Sequence, residues 1–314
     1  MEKNKPTALG KAHGKIILIG EHSVVYEKPA IAIPFKATTV SIKIVYVPGE
    51  VSIKSDYFTG VLTHVPIELE NIKQLIIKTC QLIQLPLANF QLDVSSSIPF
   101  ERGMGSSAAI AVATVRALYA YCDIPLTKEV LLELVDFSET IAHGNPSGLD
   151  ARITSFDEPL YYQKNRPFVP FDFVLDAVLI VADTGIKGQT KEAVKAVAKL
   201  CVEDPKTTAE IMNKLENLTI GTKKALLENN PALVGSYLTG AHRLLADLTV
   251  SSQKLDQLVT VALASGSIGA KLTGGGRGGC MIALAHDFQQ AEKISSKLVK
   301  AGATQTWIHS LGAE

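Results

Sequence analysis

The chemistry this sequence can perform rests on a few glycine-rich turns and a small set of charged side chains. The run Gly103-Met104-Gly105-Ser106-Ser107-Ala108-Ala109 leads from a flexible turn straight into an alanine-rich stretch. Phosphate groups need backbone N–H donors at close range, and glycine permits that approach because it has no Cβ and tolerates φ > 0. A helix beginning there adds unsatisfied N–H groups and about half a unit of positive charge. The hydroxyls of Ser106 and Ser107 could cap that helix or reach a magnesium ion, which prefers oxygen ligands. Taken alone, the motif favours a plain N-cap in a tight turn. No Walker-type G-x-x-x-x-G-K-[ST] occurs, which removes the commonest nucleotide-binding fold.

A second loop, Lys271-Leu272-Thr273-Gly274-Gly275-Gly276-Arg277-Gly278-Gly279-Cys280, places five glycines in the six positions 274–279. Each ordered glycine costs about 0.5–1 kcal/mol relative to alanine, so this density implies a backbone pressed against a ligand or another chain segment. A flexible linker is the weaker reading, because an apolar strand flanks the loop. A third segment, Gly14–Tyr26, delivers Lys15 at the start of a strand and Glu21-His22 just past its end. Read singly, Lys15 is a solvated edge residue and His22 a hydrogen-bonded loop histidine.

Two acids complete the set. Glu139 sits near the C-terminus of a helix, where the macrodipole disfavours a negative charge. Asp150 follows eleven residues later, where a short helical stretch starts. The bland readings are a solvated Glu139 and an N-capping Asp150. Beside a bound nucleotide, one acid can hold the cation that bridges phosphates, and the other can orient an acceptor hydroxyl and take its proton.

The elements that must position these residues follow from periodicity. Lys15–Ile19 and Ala30–Pro34 are short apolar runs, and Val40–Val47 alternates as a half-exposed strand does. Asn71–Leu85 reads as a helix, Phe90–Val94 as a strand, and Ala108–Tyr121 and Leu126–Ala142 as helices. Tyr161–Pro170 reads as a connector or a sheet edge. Ala177–Ala182 is a buried-strand pattern that opens a second half. Helices follow at Thr190–Leu200, Thr207–Glu228, Ala232–Leu245 and Leu255–Ala264. The strand Cys280–Ala285, the helix Phe288–Ala301 and the strand Thr304–His309 complete it. The pattern predicts an α+β protein in two lobes, residues 1–174 and 175–314.

Composition narrows the partners. Lysine plus arginine and aspartate plus glutamate both number 31 in a chain of 314 residues, so no basic excess suggests nucleic acid. Cys80, Cys122, Cys201 and Cys280 form no C-x-x-C pair, which argues against a zinc site or a disulfide framework. Met1–Ala12 lacks the apolar core of a signal peptide, and no apolar run approaches the ~20 residues needed to span a bilayer. The expectation is a cytoplasmic protein with a small-molecule partner and no membrane partner.

Taken together and in order, the motifs resemble the galactokinase, homoserine kinase, mevalonate kinase and phosphomevalonate kinase family. The resemblance is carried by Gly20-Glu21-His22-Ser23-Val24-Val25-Tyr26 followed by Pro29-Ala30-Ile31-Ala32, and by Ile141-Ala142-His143-Gly144-Asn145-Pro146-Ser147-Gly148-Leu149-Asp150. It continues through His242-Arg243-Leu244-Leu245 to the glycine loop. The first two signatures look like the mevalonate-phosphorylating branch. The resemblance implies a ribosomal protein S5 domain 2-like N-terminal lobe and a ferredoxin-like C-terminal lobe, with the active site in the cleft between them. It implies ATP and Mg2+ as cofactors, mevalonate as acceptor, and a homodimer.

By the same resemblance Asp150 matches the catalytic aspartate and Lys15 the lysine that approaches it. Ser107 and Glu139 match magnesium ligands, and Gly103, Met104, Gly105, Ser106, Ser107 and Ala108 wrap the ATP phosphates. Glu21, His22, Thr190, Gly274 and Gly275 match positions near the acceptor. Phosphomevalonate, galactose and homoserine remain alternative acceptors, and a non-catalytic sensor or a decarboxylase on the same scaffold are alternative functions. Two departures stand out: Glu101 replaces a glycine of the family's phosphate loop, and Arg277 interrupts the second glycine run. A phosphate-binding role for Arg102 or Arg277 and a solvated arginine are equally open.

Overall fold

The computed structural model describes residues 7–144, 146 and 148–312. Asn145 and Ser147 of the motif before Asp150, and the first six residues of Met1–Ala12, lie outside the described residues. The chain folds into two compact units, neither continuous in sequence. One comprises Met1–Lys15, Thr38–Pro99 and Gly105–Asp157; the other comprises Ile16–Ala37, Phe100–Met104 and Glu158–Glu314.

In the first unit, strand β2 (Ala30–Glu50) contributes its second half and pairs antiparallel with β5 (Ala88–Ser96), with Val40 opposite Ser96 and Tyr46 opposite Phe90. Val40, Ile42 and Ile44 are buried while Lys43 is exposed, the period-2 alternation of a sheet with one covered face. The hairpin β3 (Ser52–Lys54) and β4 (Thr59–Val61) extends this sheet, β3 running parallel to β5. Helices α1 (Glu70–Leu82), α2 (Ser106–Tyr121), α3 (Lys128–His143) and α4 (Leu149–Ser155) pack on one another. α2 is buried nearly all round, as its alanine and valine content dictates, and is the central helix. Strand β1 (Thr7–Ile19) approaches it so closely that a Cβ on Gly10 would strike the Ala113 carbonyl.

The second unit holds β6 (Leu160–Tyr162) and β7 (Val169–Pro170), short edge strands that pair outward from Ala30–Ala32 of β2. Its main sheet contains β8 (Val178–Asp183), β9 (Gly269–Thr273), β10 (Cys280–Ala285) and β11 (Gln305–Ser310) in the order β11-β8-β10-β9, all antiparallel. Two interleaved crossovers joined by a β9–β10 hairpin give this order, which is the ferredoxin-like arrangement expected. The crossover helices are α5 (Thr190–Glu203), α6 (Pro205–Leu227), α7 (Pro231–Asp247) and α8 (Gln253–Ala264), with α9 (Phe288–Lys300) between β10 and β11.

Three differences from the sequence reading have local causes. Ala30–Pro34 and Val40–Val47 belong to one strand of 21 residues. Pro34, which lacks an N–H, and the exposed Lys36 and Ala37 look like a break but are carried within it. β9 is wholly buried and too short to announce itself beside the glycine run. Helix edges moved by one to three residues; for α3 the caps decide, since the Thr127 hydroxyl accepts from Val130 N–H to start it and Gly144 at φ 79° ends it.

Candidate active site

The first unit gathers Lys15, Ser107, Glu139 and Asp150. Gly105 at φ 74° is the N-cap of α2, so Ser106 and Ser107 occupy its first turn and the helix N-terminus opens from the glycine loop. A Cβ on Gly105 would lie 2.8 Å from Lys15 Cγ and 3.2 Å from Thr154 Cγ2, so glycine is what lets the loop rest on the lysine. The Lys15 ammonium stands 3.0 Å from Asp150 Oδ1, with the lysine buried and the aspartate partly open. Asp150 lies in the first turn of α4, whose N-cap is Gly148, so the capping reading gives way to an ion pair.

Glu139 is 4% exposed, not solvated. Ser107 Oγ donates to its Oε1 at 2.7 Å, and Asn71 Nδ2 reaches Ser107 Oγ at 3.4 Å and Ser138 Oγ at 3.2 Å. Burial pushes the Glu139 carboxyl up to about 7; the Ser107 hydrogen bond opposes this, Asp150 and Asp136 add to it, and Lys15 works against it. An enclosed carboxylate beside a hydroxyl oxygen is a donor set that suits a hard cation. Among the described residues there is no cluster of three or more histidine, cysteine or acidic side chains that could hold a metal ion.

The second unit gathers Glu21, His22, Thr190, Gly274 and Gly275. His22 Nε2 donates to the Gly275 carbonyl at 3.0 Å. Burial pushes the imidazole down to about 4; the Gly275 bond acts upward, while the charges of Lys271 and Arg277 act downward. The ring is neutral at physiological pH, with the proton on Nε2 and Nδ1 an acceptor. Thr190 opens α5 and packs on Gly275, where any Cβ would collide with its hydroxyl.

The glycine density of this loop has a direct cause. Gly274 faces Gly103, each Cβ position lying 3.3–3.4 Å from the other's Cα. A Cβ on Gly276 would strike the Val250 carbonyl, and one on Gly278 the Lys187 carbonyl. Other chain segments therefore press on this loop, the second of the two readings above. Met104 is buried with Sδ 3.7 Å from Cys280 Sγ, so only its backbone is available to a phosphate. Ala108 is buried in the first turn of α2.

The two departures from the family loop keep its backbone. Glu101 has φ 57° and Arg277 φ 56°, the left-handed region in which a glycine would rest without strain. The Arg102 guanidinium is taken up within the protein: Nε donates to Asp183 Oδ1 at 2.8 Å, and the terminal nitrogens donate to the Phe100 and Gly185 carbonyls. It is a structural arginine. Arg277 Nε donates to the Thr249 carbonyl at 3.2 Å.

Two residues escaped the sequence reading. Asn71 is a polar side chain on the buried face of α1, among Ile72, Leu75 and Ile76. Lys271 is fully enclosed on β9 and pairs with Glu21. In each case the available signal was a polar residue at a position whose neighbours are apolar or small.

Residues 71–157 match the family described as GHMP kinases N terminal domain, and residues 222–304 match GHMP kinases C terminal. The chain belongs to the GHMP kinase family, and it is a small-molecule kinase that uses ATP. Several relatives to which it is 33% identical are mevalonate kinases. The chain is 33% identical over 324 residues to the mevalonate kinase of Thermococcus gammatolerans, covering 94% of both chains. It is similar to the crystal structure of L. major mevalonate kinase in complex with R-mevalonate (TM-score 0.82, 25% identity, 100% of this chain and 99% of that one). It is likewise similar to mevalonate kinase from methicillin-resistant Staphylococcus aureus (TM-score 0.76, 33% identity, 98% and 100% covered). Among the described residues, no helix is long and apolar enough to cross a membrane.

Proposed function

We propose that this protein transfers the terminal phosphoryl group of ATP to the primary hydroxyl of mevalonate, giving 5-phosphomevalonate in isoprenoid precursor synthesis. The reading rests above all on Lys15 and Asp150, paired at 3.0 Å where Gly105 seats the phosphate loop against the lysine. Asp150 orients the acceptor hydroxyl and receives its proton, and Lys15 holds the carboxylate in place and offsets charge on the transferring group. The N–H groups of Gly103–Ala108 donate to the ATP phosphates at the start of α2. Phosphoryl transfer asks mainly for positioning and charge neutralisation, so this short set suffices.

Ser107 and Glu139 would hold Mg2+, which would supply positive charge to offset that of the phosphates. Glu21, His22 and Thr190 meet the acceptor, and Gly274 and Gly275 support it. The reaction takes place in the cytoplasm, and the protein works as a homodimer. A non-catalytic sensor would have no use for a lysine–aspartate pair beside a phosphate loop.

ADP release measured with mevalonate, phosphomevalonate, galactose and homoserine tests the acceptor. Turnover with mevalonate at least ten times better in kcat/KM than with the others is the expected result, and preference for another acceptor overturns it. Asp150→Asn should lower kcat by roughly 10²–10⁴-fold while ATP still binds. Near-normal turnover in that variant removes Asp150 from its role.

A further inference from the structure

Lys271 stands on β9 in a strand whose other members are Gly269, Ala270, Leu272 and Thr273, all buried. Its ammonium pairs with the Glu21 carboxylate and donates to the Leu272 carbonyl. The two side chains are 0% and 1% exposed. Enclosing opposite charges costs desolvation that their attraction offsets only in good geometry, and an apolar pair of similar volume commonly serves stability as well. The pair is thus a poor way to hold a sheet together. It is a good way to fix a direction.

The segment it fixes needs such a constraint. Gly20 has φ 104° and His22 has φ 60°, so the chain turns through left-handed conformations on either side of Glu21. For histidine that conformation is locally unfavourable and persists only where tertiary contacts impose it. The contacts are specific. Ser23 N–H donates to the Glu21 carbonyl at 2.6 Å, and Ser23 Oγ to the Gly20 carbonyl at 3.2 Å. His22 Nε2 donates to Gly275, and Thr273 Oγ1 donates to the Ile17 carbonyl at 2.8 Å. Lys271, Thr273 and Gly275 therefore grip the strand-to-turn segment at three successive alternate positions, and Lys271 alone does so by charge.

We propose that Lys271 is a positioning residue for the phosphoryl acceptor: by pairing with Glu21 it holds the Glu21–His22 turn in the arrangement the acceptor's polar groups meet. The proposal rests on the acceptor-binding reading of Glu21 and His22 given above. Lys271 itself is answered by Glu21, so its part is to orient other side chains and not to bind an anion directly.

The test compares wild type with Lys271→Met, which keeps length and apolar bulk, and with the Glu21→Gln/Lys271→Met double variant, which leaves no unpaired buried charge should the single variant fold poorly. In Lys271→Met the acceptor KM should rise roughly tenfold or more with the KM for ATP within about twofold, because only acceptor contacts are disturbed. An unchanged acceptor KM overturns the proposal, as do acceptor and ATP constants that worsen together with a falling Tm, the mark of a structural role. A second arm needs no turnover. Nitrogen-15 NMR should show His22 with the proton on Nε2 in wild type and a changed tautomer balance in either variant. An unchanged His22 spectrum overturns the proposal. Should wild type fail to phosphorylate mevalonate, the acceptor reading fails by itself, and the NMR comparison still decides whether Lys271 positions the turn.

Discussion

The hydroxyl of Ser107 donates to the carboxylate of Glu139 across 2.7 Å, tying the first turn of α2 to the last turn of α3. The bond joins a helix N-terminus, which favours anions, to a helix C-terminus, which disfavours them. It also holds an acid that is buried, with His143 Nε2 3.7 Å from its Oε2.

That acid makes the protein pH-dependent. Glu139 moves from an ordinary 4.5 in the unfolded chain to about 7 in the fold. Between these values the folded state binds the extra proton, so this group's contribution to stability falls as pH rises from about 4.5 through 7. The full loss is on the order of 3 kcal/mol. The Tm advantage of Glu139→Gln over wild type should therefore grow from pH 5 to pH 8 without nucleotide. A constant difference across that range argues against the shift.

His22 acts in the opposite sense. Its imidazole is pushed from 6.5 to about 4, so the unfolded chain takes up the proton first. The stability it contributes is fully present above about 6.5 and is lost as pH falls toward 4. Proton NMR titration of the ring should show a neutral imidazole at pH 5. A charged ring there would contradict the buried Nε2–Gly275 geometry.

Gly105→Ala tests the seat of the phosphate loop. The added Cβ meets Lys15 Cγ at 2.8 Å, and φ 74° is unfavourable for any residue with a Cβ. We expect a loss of about 1–2 kcal/mol in stability from the backbone alone. ATP affinity and kcat should both fall because Lys15 is displaced. Wild-type kinetics in this variant would show that the loop does not rely on that contact.

Glu101→Gly and Arg277→Gly should each raise stability by up to about 1 kcal/mol, because glycine relieves the left-handed strain, less its greater freedom in the unfolded chain. Denaturant midpoints measure this directly. For Arg277→Gly, ATP affinity across a range of salt concentrations should be unchanged, since the arginine donates to Thr249. A salt-dependent loss would assign it to the phosphates after all.

What the sequence by itself determined is what depends on near neighbours. The helices α2 and α3, the strand β10 and the glycine loops could be read from periodicity, caps and composition, because each is specified within a dozen residues. The family resemblance that the ordered motifs carry pointed to Lys15, Ser107, Glu139 and Asp150 as a set. Tertiary structure alone decided which segment presses on which glycine, that Arg102 answers Asp183, and that Lys271 answers Glu21 from 250 positions away. Pairings of that kind depend on how strands register and helices stack. No local window of the chain encodes them, and a buried charge looks the same in sequence as a solvated one until its partner is brought to it.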